Sequence, residues 1–367
     1  MQPRWLMRVL VLSWLSASAI FCQTAIPVMR VPNDPLELVT GSTTQAESAE
    51  ARLMARALLD RAAQNLNAYA AGSIPFHLKI SFHSAGNSFY PVFGEFEQTW
   101  LTAAFWRLAA KTSGESALRL MWRAVPYDDR PSPLTYKYEM LRRDIFQPMR
   151  NVSGPMRTAS ASWRGSTLTC ILTSNSSVET DLGRQWDERE ACIDSQSGLL
   201  RVYSEAPGAF FIYDYDAGAG FHGKTLPRQV TCYESGSAIL EAILTVEDSP
   251  ALNNSQFTPA KEMISPGTVL AEIDRRSAGF PLPVGSPANE IKRVIVHALL
   301  DDGGSVLEAT GLQNYDPAIT RIALEDVMRS KYPYGASGKG PRVHEALIDV
   351  RLSPPVTFSI QSRRRAN

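Results

Sequence analysis

The stretch "PFHLKISFH" (Pro75–His83) decides the fold class, because apolar and polar residues alternate through its whole length. Every second residue from Phe76 to Phe82 is apolar, and the residues between them are polar. A period of two predicts a β-strand with one face on a core and the other face in water. The same alternation returns in "GEFEQTW" (Gly94–Trp100), so a sheet is expected here.

Further strand-like runs follow, and a single helical pattern precedes them. The runs include "ALRLMWRAV", "TLTCILTS", "AFFIYDYD" and "AILEAILTVED", separated by Gly, Asn, Ser and Asp turns. Before them, Thr44–Glu47 has capping-box spacing, and apolar residues recur at helical spacing through Leu59, Ala62, Leu66 and Tyr69. The stripe is read as core, with a partner site as the alternative. We therefore expect an α+β domain, with an antiparallel sheet curled around one long helix.

Residues 1–25 have the order of a secretory signal. Arg4 and Arg8 precede an apolar stretch from Val9 to Leu15, and the small residues Ala17–Ala19 follow it. The alternatives are an uncleaved inner-membrane anchor and lipoprotein processing at Cys22. The signal predicts export to the periplasm.

Length and charge set the remaining bounds. A chain of 367 residues exceeds one typical core, so two domains are expected. Lys and Arg together number 37, as do Asp and Glu, which leaves no net field to attract nucleic acid. No nucleic-acid partner is therefore predicted.

Export changes what the cysteines are expected to do. Cys170 and Cys192 lie in strand-like runs and are predicted to form a disulfide, which leaves Cys232 unpaired. The alternative is three buried free thiols. The sequence holds no Cys-x-x-Cys and no Cys/His cluster, so a zinc site is not predicted.

The carboxy-terminal part is predicted to be a separate module. Residues 259–290 are rich in Pro and Gly and are interpreted as a linker between a domain at 26–258 and a domain at 291–360. The second domain shows a β-β-α-β order, with its helix opened by Asp316 and Pro317. Asp302-Gly303 between apolar runs predicts a hairpin turn rather than a metal loop.

This order resembles the carboxy-terminal domain of TonB-type energy transducers over about seventy residues. The matching residues are Asp302, Gly303, Val306, Ala323, Lys331, Tyr332 and Pro333. The resemblance implies a periplasmic domain that offers the edge of its last strand to envelope or outer-membrane proteins by strand addition. The residues that this implies for partner binding are Val343, Ala346, Ile348, Val350 and Leu352.

Residues 26–258 resemble exported half-barrel domains of the LolA/RseB type. The resemblance rests on "GEFEQTW", "GLLRVYSE" and "FHGKTLPRQVTCYESGSAILEAILTVED". It implies a concave apolar face for a lipid or acyl ligand, with a closed core as the alternative. The residues expected on that face are Phe93, Phe96, Trp100, Trp106 and Trp122.

Motifs for catalysis are not found in the sequence. The five histidines (His77, His83, His222, His297 and His344) belong to no His-Glu-x-x-His motif, and no Gly-x-Ser-x-Gly accompanies them. We expect no enzyme, cofactor or metal. The prediction is an exported envelope protein that acts through protein contacts, in outer-membrane transport or energy transduction; the alternative is a periplasmic carrier of a lipid or acyl ligand.

Overall fold

The computed structural model describes residues 26–27, 42–45, 48–70, 72–84, 93–130, 133–146, 148, 154–174, 186–215, 220–249, 252–265, 273–284, 292–312, 316–333 and 343–354. The predicted signal at 1–25 and Cys22 lie outside these residues. None of the described helices combines the length and the apolar character that a membrane crossing needs.

One large antiparallel sheet, the first sheet, takes up most of the chain to Asp248. Its strands in chain order are β1 (Ile26–Pro27), β2 (Ser42–Gln45), β3 (Phe76–Ser84), β4 (Phe93–Thr102), β5 (Phe105–Thr112), β6 (Ser116–Trp122), β7 (Val125–Asp128), β8 (Met156–Trp163), β9 (Ser166–Thr173), β10 (Arg189–Asp194), β11 (Leu200–Ala206), β12 (Ala209–Asp214), β15 (Gln229–Glu234) and β16 (Ser237–Asp248). The short strands β13 (Gly220–Phe221) and β14 (Lys224–Thr225) pair with each other. Across the sheet the order is β1-β2-β8-β9-β10-β11-β12-β15-β16-β3-β4-β5-β6-β7. The predicted open, curled antiparallel sheet is confirmed.

Two helices cover the concave face of this sheet. The predicted helix is α1 (Ala49–Leu66), which begins at the N-cap Ser48 rather than at Thr44. It buries Leu59, Ala62 and Leu66 as expected.

The second helix, α2 (Pro133–Phe146), is not predicted by the sequence patterns above. It follows β7 at one edge of the sheet and precedes β8, which lies near the opposite edge. Tyr138, Leu141 and Ile145 of α2 are buried in the same core as Phe96 of β4. The helix therefore crosses between the two halves of the sheet and fills the middle of the concave face.

The carboxy-terminal module consists of a second sheet and one helix. Its elements are β17 (Asp274–Pro281), β18 (Lys292–Asp301), β19 (Val306–Gly311), α3 (Pro317–Arg329) and β20 (Val343–Ser353). The sheet order is β17-β20-β18-β19, and α3 packs Ile319, Ala323 and Val327 against one face. The predicted order of strand, strand, helix and strand is present among the described residues between Lys292 and Ser353, with β17 as an additional strand.

The predicted hairpin turn joins β18 to β19. The Asp301 carboxylate accepts from the Ser305 amide at 2.8 Å, and the Gly304 amide donates to the Asp301 carbonyl at 2.9 Å. Gly304 has a φ of 76°, and a Cβ there would lie 2.4 Å from the backbone carbonyl of Tyr332. Gly304 is therefore required both for the turn and for the close approach of the chain that follows α3.

Two predictions about this module are wrong. Within the predicted linker 259–290, Asp274–Pro281 forms a strand that pairs in parallel with β20. Consequently β20 lies between β17 and β18 and is not an edge strand. The residues assigned to partner binding are packed instead: Val343 is half-buried, and Ala346, Ile348, Val350 and Leu352 are buried. The physical reason is that the chain's own β17 satisfies the backbone groups that an edge would leave free.

The predicted disulfide between Cys170 and Cys192 is confirmed, and Cys232 is a buried free thiol. The two cysteines lie opposite each other on β9 and β10. With a sequence separation of 22, the chain-entropy model gives about 3 kcal/mol of stabilisation.

We expect a variant with Cys170→Ala and Cys192→Ala to lose about 3 kcal/mol of unfolding free energy, because its unfolded chain is no longer restrained. Urea unfolding with and without reductant measures this. The reductant should destabilise the parent and leave the variant unchanged; equal sensitivity of the two proteins would contradict the prediction.

Candidate functional site

The five aromatic residues predicted on one concave face do not share a face. Phe96, Trp100 and Trp106 are buried in the core under α2. Trp100 stacks on Phe76 with ring centroids 5.2 Å apart, and Phe96 stacks on Tyr138 of α2 at 5.5 Å. These contacts fit the closed-core alternative for this half of the sheet.

The other two predicted residues lie on the opposite, convex face of the sheet. Phe93 pairs with the exposed His83 and is itself 62% exposed, because it is an odd number of residues from Phe96. Trp122 pairs with Phe105 in the register and contacts Arg123. The prediction that these two line the concave face is wrong.

The carboxy-terminal module docks on the part of the concave face formed by β10, β11, β12 and β15. Its free sheet face contributes Ile295 and Leu347, which pack against Ala206 of β11. At the β11–β12 turn, Gly208 has a φ of 87°, and a Cβ there would lie 1.9 Å from the Leu312 carbonyl. Small residues at this turn therefore allow the backbones of the two parts to approach closely.

Beside this apolar contact lies a set of charged side chains that we call the interface cluster. It joins α2 and the first sheet to the module. Its members are Arg143, Asp144, Arg189, Glu205, Glu234, Arg275, His297 and Glu345. All are buried or nearly so, and four cationic side chains face four carboxylates when His297 is protonated.

His297 of β18 is the centre of the cluster. Its Nδ1 lies 2.8 Å from Oε1 of Glu234 on β15, and its Nε2 lies 2.7 Å from Oε1 of Glu345 on β20. Both ring nitrogens face a carboxylate oxygen, so both donate when the ring is charged. The imidazolium thus connects the first sheet to the module.

Two arginines make further connections between the parts. Arg143 of α2 lies 2.5 Å from the Glu345 carboxylate and 2.8 Å from that of Asp144. Arg275 of β17 donates to both the carboxylate and the backbone carbonyl of Glu205, at 2.7 and 2.8 Å. Each of these charge-assisted bonds is stronger than a neutral hydrogen bond, and together they fix the docking register.

Burial and neighbouring charge set the pKa values in the cluster. Burial by itself would lower the pKa of His297, but Glu234 and Glu345 raise it to about 10. Burial would raise the pKa of Glu345, yet Arg143 and His297 lower it to about 2. For Asp144, burial together with the charges of Glu345 and Glu205 outweighs Arg143 and raises the pKa to about 7. The cluster therefore holds the module by ion pairs, and it contains one carboxyl group, that of Asp144, with a pKa near neutrality.

A cavity of about 20 Å³ lies inside the cluster, which is room for about one water molecule. The other residues that line it are Ala209, Phe211, Cys232, Ile273 and Leu347. Burial raises the pKa of the Cys232 thiol well above its usual range, so the thiolate is disfavoured. The arrangement favours closure of the interface.

The sequence analysis did not find the interface cluster, although a signal was present. His297 interrupts the apolar run "VIVHALL", and Glu345 interrupts "VHEALIDV". A charged residue within an apolar strand predicts a buried partner of opposite charge. The partners could not be identified, because Glu234 on β15, Arg143 on α2 and the reciprocal pair on β18 and β20 are brought together only by the fold.

No protein-family model and no curated protein matches this sequence. Several solved structures match part of the chain at low similarity. A LolA superfamily protein from Nitrosomonas europaea shares 10% identity over 56% of this chain and 97% of its own, with a TM-score of 0.32. MucB shares 11% identity over 61% of this chain and 69% of its own, with a TM-score of 0.29. A chain of the MucA/MucB complex from Pseudomonas aeruginosa shares 12% identity over 59% of this chain and 64% of its own, with a TM-score of 0.24. All three likenesses are distant.

Proposed function

We propose that this chain is an exported, non-enzymatic binding protein that holds the acyl chain of a lipid against the concave face of its first sheet. The carboxy-terminal module closes over that face in the state described above. The observation that carries the proposal is the position of the module: it docks on apolar concave surface through buried ion pairs.

The concave face supplies an apolar surface that continues beneath the module. The core under α1 and α2 extends into the strands that the module covers. Phe211, Tyr213 and Tyr203 line this extension, and Leu299 of the module packs into it. If the module moved away, the exposed strip would offer aromatic and aliphatic side chains to an acyl chain.

The ionic contacts make the closed state dependent on a few residues. Opening the interface returns the charged groups to water, and this offsets part of the loss of their mutual attraction. The closed and open states can therefore lie within a few kcal/mol of each other, as a ligand-controlled equilibrium requires.

Arg275→Ala tests the proposal, because Arg275 links β17 to Glu205 of the first sheet. We expect the variant to bind a dansylated fatty acid about tenfold more tightly than the parent, since a larger open fraction raises the apparent affinity in proportion. Fluorescence titration measures the binding. Arg276→Ala is the matched control, because Arg276 pairs with Asp274 inside the module; it should behave as the parent does.

Native mass spectrometry of protein purified from an envelope fraction gives an independent measurement. A retained lipid on the parent supports the carrier function. If the folded Arg275→Ala variant binds no probe at micromolar concentration and no lipid is retained, the acyl-binding function is wrong.

A second candidate function is the capture of an envelope protein by strand addition. β20 is not at an edge of the second sheet, but β19 is, and Leu307 of β19 is 47% exposed. The edge that the TonB resemblance assigns to partner peptides is occupied by β17. Energy transduction therefore has less support from the geometry than ligand binding. A pull-down with a Leu307→Pro variant distinguishes the two, because only strand addition needs the β19 backbone.

A further inference from the structure

A second cavity, of about 380 Å³, lies on the convex face of the first sheet. Its volume falls within the range of small-ligand sites. The side chains that line it are His77, Thr99, Arg107, Glu247, Ser249, Leu252, Gln256 and Phe257. Neither the acyl-binding proposal nor the interface cluster uses any of these residues.

The floor of this cavity is a row of four side chains on adjacent strands. Glu247 of β16 pairs in register with His77 of β3, His77 with Thr99 of β4, and Thr99 with Arg107 of β5. Since neighbouring strands lie about 4.8 Å apart, the row is about 14 Å long between its outer Cα atoms. It has a carboxylate at one end and a guanidinium at the other.

The wall of the cavity is the chain that follows β16. A short 3-10 helix (Asn254–Phe257) buries Phe257, whose ring lies 6.5 Å from that of Phe105 on β5. Further along, Ile264 and Asp128 of β7 exchange two backbone hydrogen bonds of 2.8 and 2.9 Å. The wall is thus fixed to the sheet at both ends, and the cavity is preformed.

Some polar groups that line the cavity can form further hydrogen bonds or ion pairs with a ligand. Nδ1 of His77 lies 3.2 Å from the Glu247 carboxylate. Within the described part of the chain, the buried Ser249 hydroxyl has no hydrogen-bond partner, and Arg107 forms no ion pair. Leu252 supplies apolar surface between these polar groups, above the buried Phe257.

We propose that this cavity binds a short peptide with free termini, about three residues long. Its carboxylate lies on Arg107, its ammonium lies on Glu247, and its central apolar side chain packs on Leu252. An extended tripeptide spans about 10 Å. The side chains of Arg107 and Glu247 are long and flexible enough to close the remaining distance. Guanidinium and carboxylate are the ordinary partners of these two peptide termini.

The test is calorimetric titration of the full mature chain with the tripeptide Ala-Leu-Ala and its two capped forms. We expect the free peptide to bind, and expect carboxy-terminal amidation or amino-terminal acetylation to weaken binding at least about tenfold each. Arg107→Gln should weaken the free peptide to the same degree and make the affinity insensitive to amidation. Glu247→Gln should likewise remove the sensitivity to acetylation.

Two matched variants locate the binding. Lys79→Gln removes one positive charge from the same face, and Glu241→Gln removes a carboxylate that pairs with His83 on the same two strands. Both should bind as the parent does. If the free tripeptide does not bind at millimolar concentration, or if Arg107→Gln and Lys79→Gln have equal effects, the peptide site is not here. Neither outcome bears on acyl binding at the opposite face.

Discussion

Glu345→Gln should lower the free energy of unfolding by about 3–5 kcal/mol, the largest effect we expect from a single substitution that preserves side-chain shape. The Glu345 carboxylate faces two buried cations at once, His297 at 2.7 Å and Arg143 at 2.5 Å. The neutral amide leaves both cations without their shared counter-charge in a buried site. Urea unfolding at pH 7 measures the loss.

The matched control is Glu325→Gln in α3. Glu325 pairs with Arg329 at 3.0 Å, and both side chains are more than half exposed. Solvent screens this pair, so its removal should cost about 0.5 kcal/mol or less. Comparable losses for the two variants would show that the interface cluster does not hold the module in place.

A double variant resolves how Glu345 and His297 depend on each other. If they form one pair, His297→Gln in the Glu345→Gln background should cost much less than His297→Gln in the parent. Additive costs would mean that the 2.7 Å contact contributes little, and that Glu345 acts mainly through Arg143.

The elements with a regular pattern could be predicted from the sequence. Alternation in Phe76–Ser84 and Ser237–Asp248 predicts half-buried strands, and these two strands pair along their length. The turn at Asp301–Gly304 and the cap at Asp316 depend on neighbouring residues, so local chemistry specifies them.

The elements that depend on distant partners could not be predicted. β17 has the Pro and Gly content of a connector, and it becomes a strand because β20 offers it a parallel partner about seventy residues away. In α2, Arg143 and Asp144 interrupt the apolar pattern near the end of the helix. Their burial makes sense only once Glu345 and Glu205 are placed beside them. The candidate site is made of such contacts, which is why its residues were missed.

The unfolding free energy should also depend on pH through Asp144. Its pKa is raised to about 7 by burial and by the charges of Glu345 and Glu205, against the opposing charge of Arg143. The folded protein therefore binds the proton more tightly than the unfolded chain does. The resulting stability is fully present below the ordinary pKa of Asp, and it is lost as pH rises through 7, by up to about 1.4 kcal/mol per pH unit.

Asp144→Asn removes this dependence. The difference in unfolding free energy between the parent and the variant should therefore decrease from pH 5 to pH 8. Urea unfolding of both proteins at both pH values measures it. Two other groups of the interface cluster also make stability depend on pH, in the parent and the variant alike, so their contributions cancel in this difference. His297 contributes stability that is fully present below its ordinary pKa of 6.5 and is lost as pH rises to about 10, and Glu345 contributes stability that is lost as pH falls from its ordinary pKa of 4.5 to about 2.

The same proton links pH to the proposed acyl binding. When the module opens, Asp144 returns to water and its pKa returns to the ordinary range, so the closed state takes up a proton near neutrality. Raising the pH from 6 to 8 should then favour the open state and tighten binding of the dansylated fatty acid to the parent. Asp144→Asn should show a smaller change in affinity over this range, because only His297, which also binds its proton more tightly in the closed state, still contributes. A parent affinity that is constant with pH, in protein whose unfolding free energy does depend on Asp144, would mean that the acyl ligand binds without opening the module.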